Sequence, residues 1–174
     1  MHILDLGGAN QANVSFITGL GHKLYSEGFL RVLDSAFPPA APEGEEGQAT
    51  AVQVRAFLDH TLNFPQAYFD AAVLWDVLEF LPRPLLKATV ERLHKVVKPG
   101  TYLLALFHAD ERQSPLPLYT YRILASDTLE VMQRDGRPPV QLFNNRGVEK
   151  LFQPFQSVKF FLARDNLREV IVRR

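Results

Sequence analysis

Ile3, Leu4 and Leu6 form a short apolar run that stops at Gly7-Gly8, and apolar positions resume at Val14, Phe16 and Ile17. The run suits a strand buried on both faces of a parallel sheet, and the second group has helical spacing. The chain therefore opens with strand, glycine turn and helix, and Gly19 with Gly21 stops that helix. Residues 22–28 read as a short second strand ending at Glu27, and residues 30–37 as a short helix. Residues 38–48, rich in proline, glycine and acid, read as a mobile surface loop. Thr50 suits a helix cap, and residues 51–58 are expected to form a short helix feeding a strand near 55–58.

A buried strand is predicted at 71–75, followed by a helix that Pro84 opens. Leu85, Leu86, Ala88, Thr89, Leu93, Val96 and Val97 give that helix its apolar stripe through to Lys98, where Pro99-Gly100 ends it. A further strand covers 101–107. Residues 119–124 and 128–132 alternate as a β-hairpin, and 134–139 read as a turn. Asn144 or Asn145 caps a helix running through 148–152. Two closing strands, 157–163 and 167–173, meet at a turn on Asp165-Asn166. Strands alternating with helices predict an α/β fold with a mostly parallel sheet, in one domain spanning 1–174. Residues 113–142 read as an insertion serving substrate recognition or a dimer surface.

Composition narrows the function classes. Of 174 residues, 47% are hydrophobic and 22% charged, as in an ordinary globular protein. Lys+Arg and Asp+Glu both number 19, so no net field draws the chain to nucleic acid or an anionic membrane. The absence of cysteine excludes disulfides, thiolate nucleophiles and zinc–cysteine sites. The five histidines are scattered, and no metal site is expected. No apolar run approaches the roughly 20 residues that span a bilayer. With the first strand at the very start and no targeting segment, the expectation is a soluble, cytoplasmic protein.

The chemistry gathers at the first turn. Glycines let a backbone approach a ligand closely, and a helix N-terminus offers unpaired N–H groups, so such a turn suits a nucleotide-like ligand. Asp5, two residues before Gly7, ends the strand where a carboxylate faces a cleft. Glu27 follows Gly7 by 20 residues, a spacing that suits a βαβ unit, and as a carboxylate it is chemically able to accept two O–H donors. His108 leaves a strand at the ligand edge, where it could act as a base or simply be a loop residue; Asp110 and Glu111 follow it. Tyr119 and Tyr121 are candidate acceptor contacts or core residues.

Four segments in order carry a resemblance to a known family: Asp5-Leu-Gly-Gly-Ala-Asn-Gln11, then Asp59 with Leu62-Asn-Phe-Pro65, then residues 69–82 with Asp76-Val-Leu-Glu79, and Val-Val-Lys-Pro-Gly100 before a strand. Together they resemble the class I S-adenosylmethionine-dependent methyltransferases. Ala9 and Gln11 replace the second and third glycines of that family's first motif, and Phe80 stands where the family often has histidine. The resemblance implies a Rossmann-like three-layer α/β sandwich whose sheet has seven strands, mostly parallel with the last antiparallel. It implies S-adenosylmethionine as cofactor and a small molecule or protein as methyl acceptor. Asp5, Gly7, Gly8 and Ala9 are expected at the methionine end, and Glu27 at the ribose. Gly28 and Phe29 come beside Glu27, with Phe29 lining the adenine pocket or packing in the core; Asp59 and His60 are expected at adenine, and Trp75 and Asp76 near the transferring methyl group. Outside the resemblance, Glu27 also reads as a solvated loop residue and Asp59 as a strand-ending turn residue. No catalytic base is named. Two other readings stay open: a methyltransferase-like interaction module without activity, which the altered glycines favour, and a nicotinamide-dinucleotide site, which Asp5 opposes because a carboxylate repels a pyrophosphate.

Overall fold

The computed structural model describes residues 1–37, 50–110, 114–162 and 166–174. The expected loop at 38–48, Glu111, Gln113 and the Asp165 half of the last turn lie outside the described residues. Strand β1 (His2–Asp5) leads through the glycine turn into α1 (Gln11–Gly19), then β2 (Lys23–Ser26) and α2 (Phe29–Ala36). Helix α3 (Ala51–Thr61), strand β3 (Phe69–Trp75) and a short 3-10 turn (Leu78–Phe80) follow. Next come α4 (Arg83–Val96), β4 (Val97–His108), the pair β5 (Leu116–Ala125) and β6 (Thr128–Arg137), α5 (Asn145–Leu151), β7 (Ser157–Leu162) and β8 (Leu167–Arg173).

The main sheet has the order β2-β1-β3-β4-β8-β7, and β5-β6 form a separate two-stranded sheet. Strands β2, β1, β3 and β4 run parallel, while β8 is antiparallel to both β4 and β7. The expected architecture holds, with the last strand antiparallel, but the main sheet has six strands among the described residues rather than seven. The missing strand is the one expected near 55–58. That segment is helical throughout, because Thr50 and Gln53 form a reciprocal capping box and Val54, Phe57, Leu58 and Thr61 bury one helical face. Two β-branched valines suggested a strand, and the 3.6-residue period overrode them.

Two smaller boundaries also differ from expectation. Helix α4 ends at Val96 and Val97 already pairs with Phe69, so Pro99-Gly100 is an irregularity at the start of β4, with Gly100 at φ +80°. Strand β6 extends to Arg137 and absorbs part of the expected 134–139 turn, since Leu116 and Pro117 reach back to pair with Arg137 and Gly136.

Alternation along the strands builds two cores. Ala72 and Leu74 of β3 with Leu103, Ala105 and Phe107 of β4 face a large cluster formed with α2, α3, α4 and α5. The residues between them, Val73, Trp75, Leu104 and Leu106, face the opposite side and pack on Tyr119, Tyr121 and Ile123 of β5. Helix α1 and the β5-β6 hairpin thus make the third layer. The hairpin is held to α1 by Asn13, which is buried: its amide donates to the Tyr121 carbonyl at 2.9 Å and accepts from the Ile123 amide at 2.7 Å. An asparagine side chain here stands in for a neighbouring strand, satisfying backbone groups that burial would otherwise leave unpaired.

Candidate active site

Strand β1 pairs with β2 on one side and β3 on the other, so the connection direction reverses there. Ligands of open α/β sheets bind outside the carboxyl ends of strands at such a point. A cavity of about 600 Å3 lies at this place. Its walls are the turn at Gly7, Gly8 and Ala9, the start of α1 at Asn10, Arg31 and Asp34 of α2, Trp75 and Asp76, and Tyr119, Tyr121 and Arg137 from the hairpin.

Asp5 closes the floor. It is 2% exposed; Oδ1 accepts from the Gly7 amide at 2.8 Å and from Trp75 Nε1 at 2.7 Å, and Oδ2 accepts from Ser26 Oγ at 3.2 Å. Burial raises its pKa, against the lowering effect of those three donors. Its carboxyl therefore organises the turn and does not face the cavity. Trp75 takes a left-handed backbone at φ 50°, a conformation that costs a non-glycine residue roughly 1–2 kcal/mol. The indole is fixed by Asp5 and by parallel stacking on Tyr121, with ring centroids 4.6 Å apart and planes within 5°. It lies against Gly7, where a Cβ would come within 2.4 Å of the ring. Gly8, at φ +91°, meets the Gly28 backbone, and Gly7 and Gly28 form an isolated bridge that ties the first turn to the end of β2.

Behind Trp75 lies a buried ionisable cluster. His108, the last residue of β4, pairs through Nδ1 with Glu79 Oε2 at 2.6 Å, and Nε2 donates to the Pro117 carbonyl at 3.0 Å. Burial works to lower the imidazole pKa, but Glu79, the Pro117 carbonyl and Asp76 outweigh it and hold it above 6.5. His108 is a fixed member of the cluster, and the alternative of a loop histidine does not hold. Asp76 is 4% exposed, and burial lifts its carboxyl to about 6 despite the backbone N–H of Asp76 itself, the field of His108 and contacts to Tyr121 and Tyr119. The Asp76 carboxyl and the Tyr121 hydroxyl interact, yet Asp76 Oδ2 and the hydroxyl are both buried without a well-formed hydrogen bond. Burial and Asp76 push the Tyr121 hydroxyl pKa upward.

The structure brings Gly7, Gly8, Ala9, Gly28, Trp75 and Asp76 of the expected residues to the cavity wall, with Asp5 beneath them. It does not bring the others. Glu27 follows β2 with its amide on the Asp5 carbonyl at 2.8 Å, and its side chain does not line the cavity. Phe29 is fully buried in the main core. Asp59 sits on the exposed side of α3, paired with Arg55 at 3.5 Å and Arg92 at 3.4 Å, because the segment expected to end a strand is a helix. His60 lines a separate cavity of about 360 Å3 between α2 and α3. Glu79, Asn13, Arg31, Asp34 and Arg137 were not anticipated. Only Glu79 carried a signal, three residues beyond Asp76 in the same motif. Among the described residues no three His, Asp or Glu side chains are placed to hold a metal ion, and no helix is long and apolar enough to cross a membrane.

No protein-family model matches the sequence, and neither does any curated protein. Solved structures do resemble it. A methyltransferase dependent on S-adenosylmethionine from Methanosarcina mazei aligns over 99% of this chain and 92% of its own, with 15% identity and a TM-score of 0.52. One from Aquifex aeolicus aligns over 99% and 81%, with 15% identity and a TM-score of 0.53. A 1,6-didemethyltoxoflavin N1-methyltransferase from Burkholderia thailandensis, solved with bound 1,6-didemethyltoxoflavin and S-adenosylhomocysteine, aligns over 99% of this chain and 70% of its own, with 12% identity and a TM-score of 0.51. At such identities the likeness is one of backbone, and on that ground the chain has the class I S-adenosylmethionine-dependent methyltransferase fold.

Proposed function

We propose that the cavity over the glycine turn binds S-adenosylmethionine and that the domain transfers its methyl group to a small-molecule acceptor. The observation that carries this reading is the buried carboxyl of Asp76 at the cavity wall, with one oxygen lacking a donor beside the rings of Trp75, Tyr119 and Tyr121. A carboxylate and aromatic faces together suit a cationic ligand. About 600 Å3 is within the range of small-ligand pockets, and Gly7 and Ala9 leave their backbone exposed on it. Gly7, Gly8 and Ala9 would hold the methionine end, Arg31 its carboxylate, and Asp76 with Tyr121 the region of the sulfonium. Asp5 supports the turn from below. Glu27, Phe29, Asp59 and His60 have no part in this proposal.

When bound, the cofactor supplies an electrophilic methyl group, so the protein's part is mainly to position an acceptor and keep water out. The β5-β6 hairpin, pinned by Asn13, forms the roof that does so. An ion pair between Arg137 and Asp34 at 2.8 Å joins that roof to α2 across the cavity mouth, and the Arg137 guanidinium also lies over Phe80 at 5.7 Å.

One arrangement favours the second reading, a binding module without activity. Asp5 is spent on Trp75, and the Gly7–Gly28 bridge closes the gap between the first turn and β2. Calorimetric titration with S-adenosylmethionine and S-adenosylhomocysteine, with a nicotinamide dinucleotide as control, separates the two. Micromolar binding of a sulfur ligand supports the enzyme; no binding at millimolar ligand leaves the interaction module.

A further inference from the structure

The ionisable groups behind Trp75 do not balance. Asp76 and Glu79 contribute two carboxyls, and His108 is the one basic group among them; all three are at most 4% exposed. His108 is already engaged, by Glu79 on one ring nitrogen and the Pro117 carbonyl on the other. Asp76 Oδ2 and Glu79 Oε1 have no well-formed hydrogen bond, although Tyr121 and the Tyr119 backbone contact the Asp76 carboxyl. A buried, under-coordinated carboxyl is costly unless it is protonated or meets a cation. Facing Asp76 are His108 from β4 and Tyr119 and Tyr121 from β5, and Glu79 from the 3-10 turn joins the cluster through His108. The guanidinium groups of Arg31, Arg134 and Arg137 stand on the other walls of the cavity, where Arg137 is paired with Asp34. Aromatic faces line the approach: Trp75 stacked on Tyr121, and Tyr119 at 6.0 Å from Tyr121 and 5.8 Å from His108.

Resting on the cofactor reading above, we propose that Asp76, with the rings of Tyr119, Tyr121 and Trp75, is an onium subsite that selects the positive sulfonium of S-adenosylmethionine over the neutral thioether of S-adenosylhomocysteine. The cluster is short of one positive charge, and the sulfonium provides it. A thioether of nearly the same shape does not. The preference comes from this chain's own carboxyl, and it runs in the direction that limits product inhibition.

The cation also competes with the proton that Asp76 otherwise holds. Asp76 titrates near 6 in the free protein. Binding of the charged ligand to the ionised carboxyl therefore releases a proton below that pH and none well above it. Groups common to the two ligands cancel in the comparison.

The test is titration calorimetry on the whole chain at pH 5, 6, 7 and 8, in two buffers of different ionisation enthalpy, with each ligand in turn. Affinity for S-adenosylmethionine should rise roughly fivefold from pH 5 to 6 and roughly tenfold from pH 5 to 7, then level off, with up to about one proton released at pH 5. S-adenosylhomocysteine should bind at least tenfold more weakly at pH 7.5, with a flat profile and no linked proton. Asp76→Asn should remove the slope, the proton release and most of the preference, while Asp59→Asn on the far side of α3 should keep all three. Equal affinity for both ligands with no proton release in the unaltered protein would overturn the onium subsite and leave cofactor binding standing. Failure of both ligands to bind would overturn the cofactor reading and this inference with it.

Discussion

Gly7→Ala probes the contact on which the turn is built. A methyl at this position would come within 2.4 Å of Trp75 Cδ1 and 2.8 Å of Nε1, where carbon contacts normally begin near 3.5 Å. About 1 Å of space has to be made. The indole cannot easily yield, because its N–H is bound to Asp5 at 2.7 Å and its face is stacked on Tyr121 at 4.6 Å. Overpacking a filled site costs about 1–3 kcal/mol, and losing the bond to a buried carboxyl adds about 1–3 kcal/mol if the ring swings away. The backbone of Gly7 lies outside the left-handed region, so alanine also removes freedom from the unfolded chain, an offset of about 0.4–1 kcal/mol. The net expectation is a loss of about 2–4 kcal/mol, or roughly 5–15 °C in Tm for a domain of this size. Trp75 is the only tryptophan in the chain, so its fluorescence reports both the unfolding transition and the state of the contact itself. Urea unfolding followed by emission should show a lower midpoint and, in the folded baseline, a shift toward solvated indole. Gly19→Ala is the matched control. Nothing lies within 4 Å of a Cβ there and the residue is helical, so it should be neutral or gain up to about 1 kcal/mol. If Gly7→Ala unfolds at the wild-type midpoint with unchanged emission, the indole does not rest on the turn and the account of the cavity floor is wrong.

Three further outcomes follow from the same geometry. The Asp76 carboxyl is held at about 6 rather than 3.8, so wild-type stability falls as pH rises through that window and stays reduced above it; Asp76→Asn should gain up to about 3 kcal/mol at pH 7.5 and nothing below pH 3.8, and an equal effect at both would refute the shift. Asn13→Ala removes the partner of the Ile123 amide and leaves the Tyr121 carbonyl with only the longer bond from Asn10 at 3.4 Å, at about 1–3 kcal/mol, and should speed hydrogen exchange in β5 and β6 ahead of the main sheet. Uniform acceleration across both sheets would count against a pinned hairpin. Asp59→Ala and His60→Ala should leave the dissociation constant for S-adenosylmethionine within twofold of wild type, and a tenfold loss in either would return α3 to the cofactor site.

What could be read from the sequence alone was local and periodic. The break from Leu6 into Gly7-Gly8, the Pro84 helix start, the stripe from Leu85 to Val96 and the alternation on either side of residues 125–128 each follow from a few adjacent residues. They sufficed for an α/β fold and for locating Asp5, Trp75 and Asp76 at strand ends. The segment 51–61 escaped this reading because its valines favour a strand while its cap and its period favour a helix, and burial of Phe57 and Leu58 decided between them. With that strand absent, Asp59 and His60 moved to the outside of a helix. The site's chemistry was a matter of tertiary structure. Asp5 turned inward because Trp75, 70 residues away, reaches its carboxyl. Asp76 became an unusual acid because β4, the 3-10 turn and the hairpin bury it beside His108 and Tyr121. Desolvation and partnership depend on which distant surfaces meet, and no spacing along the chain encodes them.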